Sequence, residues 1–132
     1  MTLWDYSVAL YARPGAEAMF LRLQDEEGRC VPLLLWRLWC EAEGRAVDAE
    51  TAARAVALAR TWTASMVTPL REVRRRLKSP FPPVTQAARE TLRGQVAATE
   101  LAAERVLLER LEALTSPPAD ARLARAHRSA KP

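Results

Sequence analysis

The chain has 132 residues, of which 49% are apolar and 27% are charged, and its formal net charge is +4. These values are typical of a single globular domain and exclude wholesale disorder and collagen-like repeats. One histidine and four glycines exclude most metal sites and all glycine-rich phosphate-binding loops. The commonest residues are Ala, Leu and Arg, which favour helices over strands, so the composition predicts an all-α fold.

Start and stop signals predict three short helices near the beginning of the chain. They run from Thr2 to the break at Pro14-Gly15, from Ala16 to about Glu27, and from about Pro32 to Gly44. Thr2 is a suitable N-cap, and Gly28 and Gly44 are typical helix terminators. The third helix is apolar almost all round, so we expect the other helices to surround it.

The second half of the chain is predicted to be a long helical hairpin. A fourth helix runs over about 48–78, and its apolar side chains are spaced alternately by four and three residues. Thr68-Pro69 interrupts this spacing. Because proline costs roughly 3 kcal/mol inside a helix, we expect a kink near 64–65 or a break into two helices. A proline-rich turn over 79–83 then leads into a fifth helix over about 84–114.

The predicted architecture is therefore all-α, with three short N-terminal helices packed on a long antiparallel helical hairpin. Residues 1–115 are expected to form a single domain, and 116–132 a flexible basic tail. The charge is unevenly distributed along the chain. The formal net charge is −2 over residues 1–70, +5 over 71–93 and +3 over the tail. A local basic excess of this kind can attract nucleic acid or acidic proteins.

The sequence indicates a cytoplasmic protein without a membrane span. Its start lacks a basic segment followed by an apolar stretch, which a secretory signal would have. The most apolar run, over 31–40, contains Arg37 and is much shorter than the ~20 residues needed to cross a bilayer. Cys30 and Cys40 lie among apolar residues and are expected to be small buried hydrophobes rather than partners in a disulfide.

Four short motifs near the start of the chain resemble a known family. They are Leu3-Trp4-Asp5-Tyr6, Leu10-Tyr11-Ala12-Arg13-Pro14-Gly15, Leu23-Gln24-Asp25 and Leu33-Leu34-Leu35-Trp36-x-Leu38-Trp39. Over residues 3–45 the chain is similar to a family of short proteobacterial proteins that is catalogued as a domain of unknown function. The resemblance implies a small cytoplasmic helical protein, and it brings no activity, cofactor or catalytic residue with it.

The sequence contains no candidate catalytic site. His127, the only histidine, lies in the predicted tail, where a side chain is not readily held beside a nucleophile. The Cys and His residues lack the spacing of zinc sites, and phosphate-binding and hydrolase motifs are absent. Acidic runs such as Asp25-Glu26-Glu27 are expected to be solvated helix ends. We therefore predict no enzyme activity, no metal and no cofactor.

Tryptophans and leucines provide one candidate surface for a partner. The four tryptophans are expected mainly in the core, but the two on the third helix point about 60° apart. Trp36 or Trp4 is therefore a candidate for a groove that binds a partner. On the fifth helix, Leu101 and Leu108 lie roughly opposite the main apolar stripe, which includes Leu92. They either face the N-terminal helices or form a surface for a partner or a second copy.

A basic strip on the fourth helix is the second candidate site. Its members follow the i, i+3, i+4, i+7 spacing of one helix face and are Arg71, Arg74, Arg75 and Lys78. The strip is either a solvated face whose cations suit the C-terminus of the helix, or an anion-binding site for phosphates, assisted by the Arg-rich tail. No aromatic residue is interleaved with these arginines, and no nucleic-acid-binding motif is present.

Together these observations favour a non-enzymatic interaction module, an adaptor or regulator that binds a protein partner or a second copy of itself. One alternative is a nucleic-acid-associated protein that uses the basic strip and the tail. The other is an unrecognised enzyme or small-ligand binder. A solvent-open phosphate patch would favour the first alternative, and a closed apolar pocket with converging polar groups would favour the second.

Overall fold

The structure, a computed structural model, describes residues 1–117 of the chain. Within that range every regular element is helical, which confirms the predicted all-α class. The helices are α1 (Leu3–Tyr11), α2 (Ala16–Glu27), α3 (Val31–Glu43), α4 (Ala49–Trp62), α5 (Thr68–Arg76) and α6 (Gln86–Glu112). None of them combines the length and the apolar character that a bilayer crossing requires. From position 118 onwards the predicted tail, with His127, lies outside the described residues.

The boundaries of the helices follow from the capping residues in the sequence. The Thr2 hydroxyl accepts a hydrogen bond from the Asp5 N–H at 3.1 Å and caps α1. The Asp48 carboxylate accepts one from the Thr51 N–H at 2.7 Å and caps α4. Gly44 ends α3 with a φ of +67°, a left-handed conformation in which any residue with a Cβ is strained. The first three helices therefore lie where the sequence predicts them.

A π-helical turn over Thr63–Val67 separates α4 from α5. Pro69 has no N–H to donate, and its ring would clash with the carbonyl of residue 65 in a regular α-helix. The wider turn removes this conflict, while the backbone on both sides of it remains right-handed helical. The interruption predicted near 64–65 is therefore present, as a π-helical turn rather than an open break.

Helix α3 lies at the centre of the fold, as its lack of a polar face predicts. Trp36 and Trp39 are fully buried. The core side chains around them come from α1, α2, α4 and α6 and include Leu3, Phe20, Ala59 and Leu111. The indole N–H of Trp39 donates to the Met1 carbonyl at 3.0 Å, and the Arg45 guanidinium lies 4.2 Å from the centre of its ring. These contacts attach the start of the chain to α3.

One arm of an antiparallel hairpin consists of α4, the π-helical turn and α5, and the other arm is α6. Near the connecting turn, the Arg89 guanidinium donates to the Leu77 carbonyl at 3.1 Å. Helix α6 begins at Gln86, two residues later than predicted, because the Thr85 hydroxyl accepts a hydrogen bond from the Ala88 N–H and serves as the N-cap.

The buried face of α6 differs from the predicted main stripe. Leu92, which the spacing assigned to that stripe, is 47% exposed, whereas Leu107, Leu108 and Leu111 are buried. The reason is that only the C-terminal half of α6 contributes to the shared core. None of the residues over 68–99 is buried. This segment, which we call the distal hairpin, is a pair of helices outside the core.

Two glycines provide a matched test of the helix geometry. Gly94 lies inside α6, and a Cβ placed there would meet no heavy atom within 4 Å. Gly94→Ala is therefore expected to raise the free energy of unfolding by about 0.5–1 kcal/mol. Gly44→Ala puts a Cβ on backbone with positive φ. This change is expected to lower the free energy of unfolding by about 1 kcal/mol. Urea denaturation measures both effects, and changes of the same sign would contradict this assignment.

Candidate functional site

An open cleft with a volume of about 330 Å³ lies between α1, α3 and α6. Its walls are mainly apolar and include Trp4, Val8, Tyr11, Pro32, Leu35 and Leu101. Trp4, Val8 and Tyr11 are three or four residues apart on α1, so they share one face of that helix. The cleft is thus bounded by one apolar face from each of α1 and α6, and α3 contributes its buried floor.

Several side chains in the walls of the cleft keep large exposed fractions. Leu101 is 54% exposed, Val8 52% and Tyr11 39%. The Tyr11 ring is held in place because it stacks on the Phe20 ring, with the two ring centres 5.0 Å apart. A contiguous apolar surface that stays open to solvent on a well-packed core is typical of a binding site.

The cleft also contains polar side chains, namely Ser7, Gln24 and Glu104. The Ser7 hydroxyl is already satisfied, because it donates to the Leu3 carbonyl at 2.8 Å. Within residues 1–117, the Gln24 amide and the Tyr11 hydroxyl form no hydrogen bond with the protein. Both groups therefore remain available to a ligand.

Burial and neighbouring carboxylates shift the pKa of two groups in the cleft. Burial raises the pKa of Tyr11 to about 12, and the Glu104 and Glu17 carboxylates act in the same direction. Burial, followed by the charge of Glu100, also raises the pKa of Glu104, while Arg71 opposes this shift. The Tyr11 hydroxyl therefore keeps its proton at neutral pH, and the ionised form of Glu104 is less favourable here than in water, chiefly because it is buried.

Next to the cleft, an ionic cluster joins α5 to α6. Glu100 is only 7% exposed. Its two carboxylate oxygens accept hydrogen bonds from Arg71 Nε at 3.1 Å and from Arg74 Nε at 2.6 Å. The Glu100 carboxylate holds the pKa of Arg74 above its usual range. Glu104 has a weaker partner, because Arg71 Nη2 lies 3.5 Å from its nearer oxygen.

The structure turns part of the predicted basic strip towards α6. Arg71 and Arg74 both contact Glu100, and Arg71 also contacts Glu104, so both guanidinium groups are held by carboxylates of the protein. Arg75 lies 3.5 Å from Asp25, with both side chains more than half exposed. Of the four strip residues, only Lys78 has no ion pair among the described residues. Three of the four strip cations are therefore in ion pairs, and the anion-binding role of the strip stays a prediction.

The π-helical turn explains why the arginines face α6. It inserts an extra residue into the helical path, which rotates all later side chains by about 100°. The apolar residues of the fourth predicted helix, which include Met66 and Val73, therefore no longer all face the same side. Met66 is 46% exposed and Val73 is 42% exposed. Arg71 and Arg74 occupy the side that meets α6 instead.

The predicted partner surface is only partly present. Trp36 lies on α3 and is fully buried in the core, so it is not at the surface that the sequence predicted for it. Trp4, Leu101 and Leu108 line the cleft, although Leu108 is only 4% exposed. The role of these three residues in binding stays a prediction. The Arg105 guanidinium lies 4.6 Å from the centre of the Trp4 ring.

The sequence analysis did not identify Tyr11, Gln24, Glu100 or Glu104 as site residues. Glu100 and Glu104 had one usable signal, because they are four residues apart and share a face of the predicted fifth helix. In an antiparallel hairpin that face meets the arginines of the preceding helix. Tyr11 and Gln24 lie in motifs that carry the family resemblance, but no pattern assigned them to a site. They reach the cleft through the packing of α1 and α2.

Metal and thiol chemistry have little support in the part of the chain that the structure describes. There, no three side chains of His, Cys, Asp or Glu come close enough together to bind a metal ion. Cys30 and Cys40 are free thiols. Burial raises the pKa of the Cys40 thiol, which makes it a poor nucleophile at neutral pH. The absence of a metal or cofactor stays a prediction.

The ionic cluster is tested by two arginines of the same helix. Arg74→Met leaves the buried Glu100 carboxylate with a single partner, so we expect a loss of about 1–3 kcal/mol in the free energy of unfolding. Arg76 is exposed and has no ion pair within residues 1–117, so Arg76→Met is expected to change the free energy of unfolding by less than about 0.5 kcal/mol. Urea denaturation distinguishes the two variants, and equal effects would contradict a structural role for the cluster.

Glu104 is expected to make stability depend on pH in a definite direction. Because folding raises its pKa above the ordinary value of 4.5, the folded chain holds this proton more tightly than the unfolded chain. The stabilisation of the folded chain that comes from this protonation is complete below the ordinary pKa. It is lost as pH rises through the folded-state pKa. Glu104→Gln is therefore expected to be more stable, relative to wild type, at about pH 7 than at about pH 4. Urea midpoints check this, and a pH-independent difference would contradict the raised pKa.

Comparison with known proteins gives one family match. Residues 2–111 match the model of a family described as "Protein of unknown function (DUF2390)". The match extends beyond the region of the predicted resemblance and includes both arms of the hairpin. A search of curated proteins and a search of solved structures give no match. The chain therefore belongs to the DUF2390 family of proteins of unknown function.

Proposed function

We propose that the protein is a non-enzymatic interaction module, an adaptor or regulator that binds an apolar segment of another protein in the cleft. The observation that carries this proposal is the cleft itself, whose walls present Val8, Tyr11 and Leu101 to solvent at 39–54% exposure. Burying one large apolar side chain against these walls would contribute about 1.5–3 kcal/mol.

The shape of the cleft supports a helical segment as its ligand. Its volume of about 330 Å³ is close to the lower limit of small-molecule sites, about 300 Å³, and suits one or two inserted side chains. Two helices, α1 and α6, flank the opening. An amphipathic helix that places apolar side chains three or four residues apart into such a groove is a recurrent mode of recognition.

The other functional classes receive less support. The nucleic-acid alternative uses the basic strip and the Arg-rich tail, and two of the four strip cations are held in ion pairs with Glu100. A small-ligand binder would use the same cleft, and the free Tyr11 hydroxyl and Gln24 amide favour it as the second candidate. We also propose a cytoplasmic location, which the free thiols of Cys30 and Cys40 support.

A displayed library of random peptides provides the test, with two exposed leucines of α6 as the matched pair. Leu101 lines the cleft, and Leu92, which is 47% exposed, does not. Peptides selected on the wild-type protein are expected to bind Leu92→Asp normally and to bind Leu101→Asp at least about tenfold more weakly. Thermal unfolding of both variants checks that they are folded.

Two outcomes would contradict the proposal. One is that no peptide is enriched on the wild-type protein. The other is that the selected peptides bind both leucine variants with equal affinity, because the binding surface then lies outside the cleft. If gel retardation at low salt instead shows that the protein binds DNA or RNA, the nucleic-acid alternative gains the support that the cleft proposal loses.

A further inference from the structure

Among residues 1–117, the Glu104 carboxylate has no ion-pair partner closer than 3.5 Å. It lines the cleft and also the neighbouring cavities on either side, and its side chain is 30% exposed. Its one ion-pair contact, to Arg71 Nη2, is 3.5 Å long. The same arginine makes a shorter contact of 3.1 Å with Glu100. A cation brought into the cleft would therefore meet an acceptor that the fold leaves incompletely paired.

Other groups in the cleft are also suited to a cation. The carboxylates of Glu104 and Glu17 both act on the Tyr11 hydroxyl, whereas Arg71 opposes them. The Gln24 amide has a free carbonyl oxygen that can accept a hydrogen bond. The walls contain the aromatic rings of Trp4 and Tyr11, and aromatic faces attract cations as well as apolar groups.

A negatively charged ligand does not suit the same place. It would approach the Glu104 carboxylate, while Arg71 and Arg74 remain held by Glu100. Arg105, which lies over the ring of the cleft residue Trp4, pairs with Glu109 at 3.1 Å. This arrangement leaves Glu104 as the charged group that the cleft offers to a partner.

We propose that the cleft selects a basic and apolar segment of a partner protein, in which a lysine or arginine side chain pairs with Glu104 while a neighbouring apolar side chain packs against Leu101 and Tyr11. This inference rests on the proposed function and adds a charge requirement to it. It also defines the spacing of the segment, because Leu101 and Glu104 are three residues apart on α6, about one helical turn.

The test begins with the peptides that are selected on the wild-type protein and weakened by Leu101→Asp. We expect these peptides to contain lysine or arginine beside a large apolar residue more often than the starting library. For one such peptide, replacing the basic residue by norleucine removes the charge and keeps the apolar chain. This change is expected to weaken binding to the wild-type protein about tenfold.

Glu104→Gln completes a double-mutant cycle with the norleucine peptide. The variant is expected to bind the basic peptide about tenfold more weakly than wild type does, and to bind the norleucine peptide with unchanged affinity. Fluorescence anisotropy at low and high salt measures all four combinations. High salt is expected to weaken only the pair that contains both charges.

The outcomes separate the two proposals. If the cleft-dependent peptides show no enrichment in basic residues, or if norleucine substitution on the wild-type protein has no effect, the charge requirement is wrong and the proposed function stands. Equal effects of Glu104→Gln on both peptides would also overturn the charge requirement. If no peptide depends on Leu101, both proposals fail. The norleucine comparison uses only the wild-type protein, so it does not depend on the folding of a variant.

Discussion

The apolar surface of α3 is the constraint on which the rest of the fold depends. A helix that is apolar on most of its surface must be covered by other elements to be stable in water, and in α3 a narrow side with Arg37 and Glu41 stays exposed. Trp36 and Trp39 make this requirement severe, because both are large and fully buried although they point in different directions. Segments from α1, α2, α4 and α6 meet the requirement. The chain therefore places its two most distant segments, α1 and the end of α6, against one another.

The cleft is a consequence of this arrangement. Helix α1 spans only Leu3–Tyr11, so it covers one end of the α3–α6 contact and leaves Leu101 without an apolar neighbour that buries it. The contact itself is fixed at the other end, where the Leu3 N–H donates to the Glu112 carboxylate at 2.7 Å. The cleft and the core beneath it thus both result from the packing of α1 against α3 and α6. This combination of a packed core and exposed apolar walls supports the proposed binding role of the cleft.

Much of the fold could be predicted because it depends on local signals. Thr2, Gly28 and Gly44 act through their own backbone and capping geometry, and α3 is recognisable from its composition alone. The face of α5 could not be predicted, because the π-helical turn changes the helical phase by one residue after Thr63–Val67. Because of this one extra residue, Arg71 and not Val73 lies at the contact with α6. The polar part of the site was missed for the same reason, since Glu104 gains its significance only from the arginines it meets.

The distal hairpin has a consequence for the dynamics of the molecule. None of its residues, 68–99, is buried, and ion pairs of Arg71 and Arg74 with Glu100 and of Arg75 with Asp25 link its inner end to the body. Such a segment can open as a cooperative unit of its own while α3 and its surrounding helices stay folded. Its amide protons then exchange with solvent through partial opening rather than through global unfolding. The ionic cluster acts as the boundary between these two units, and it lies directly beside the cleft.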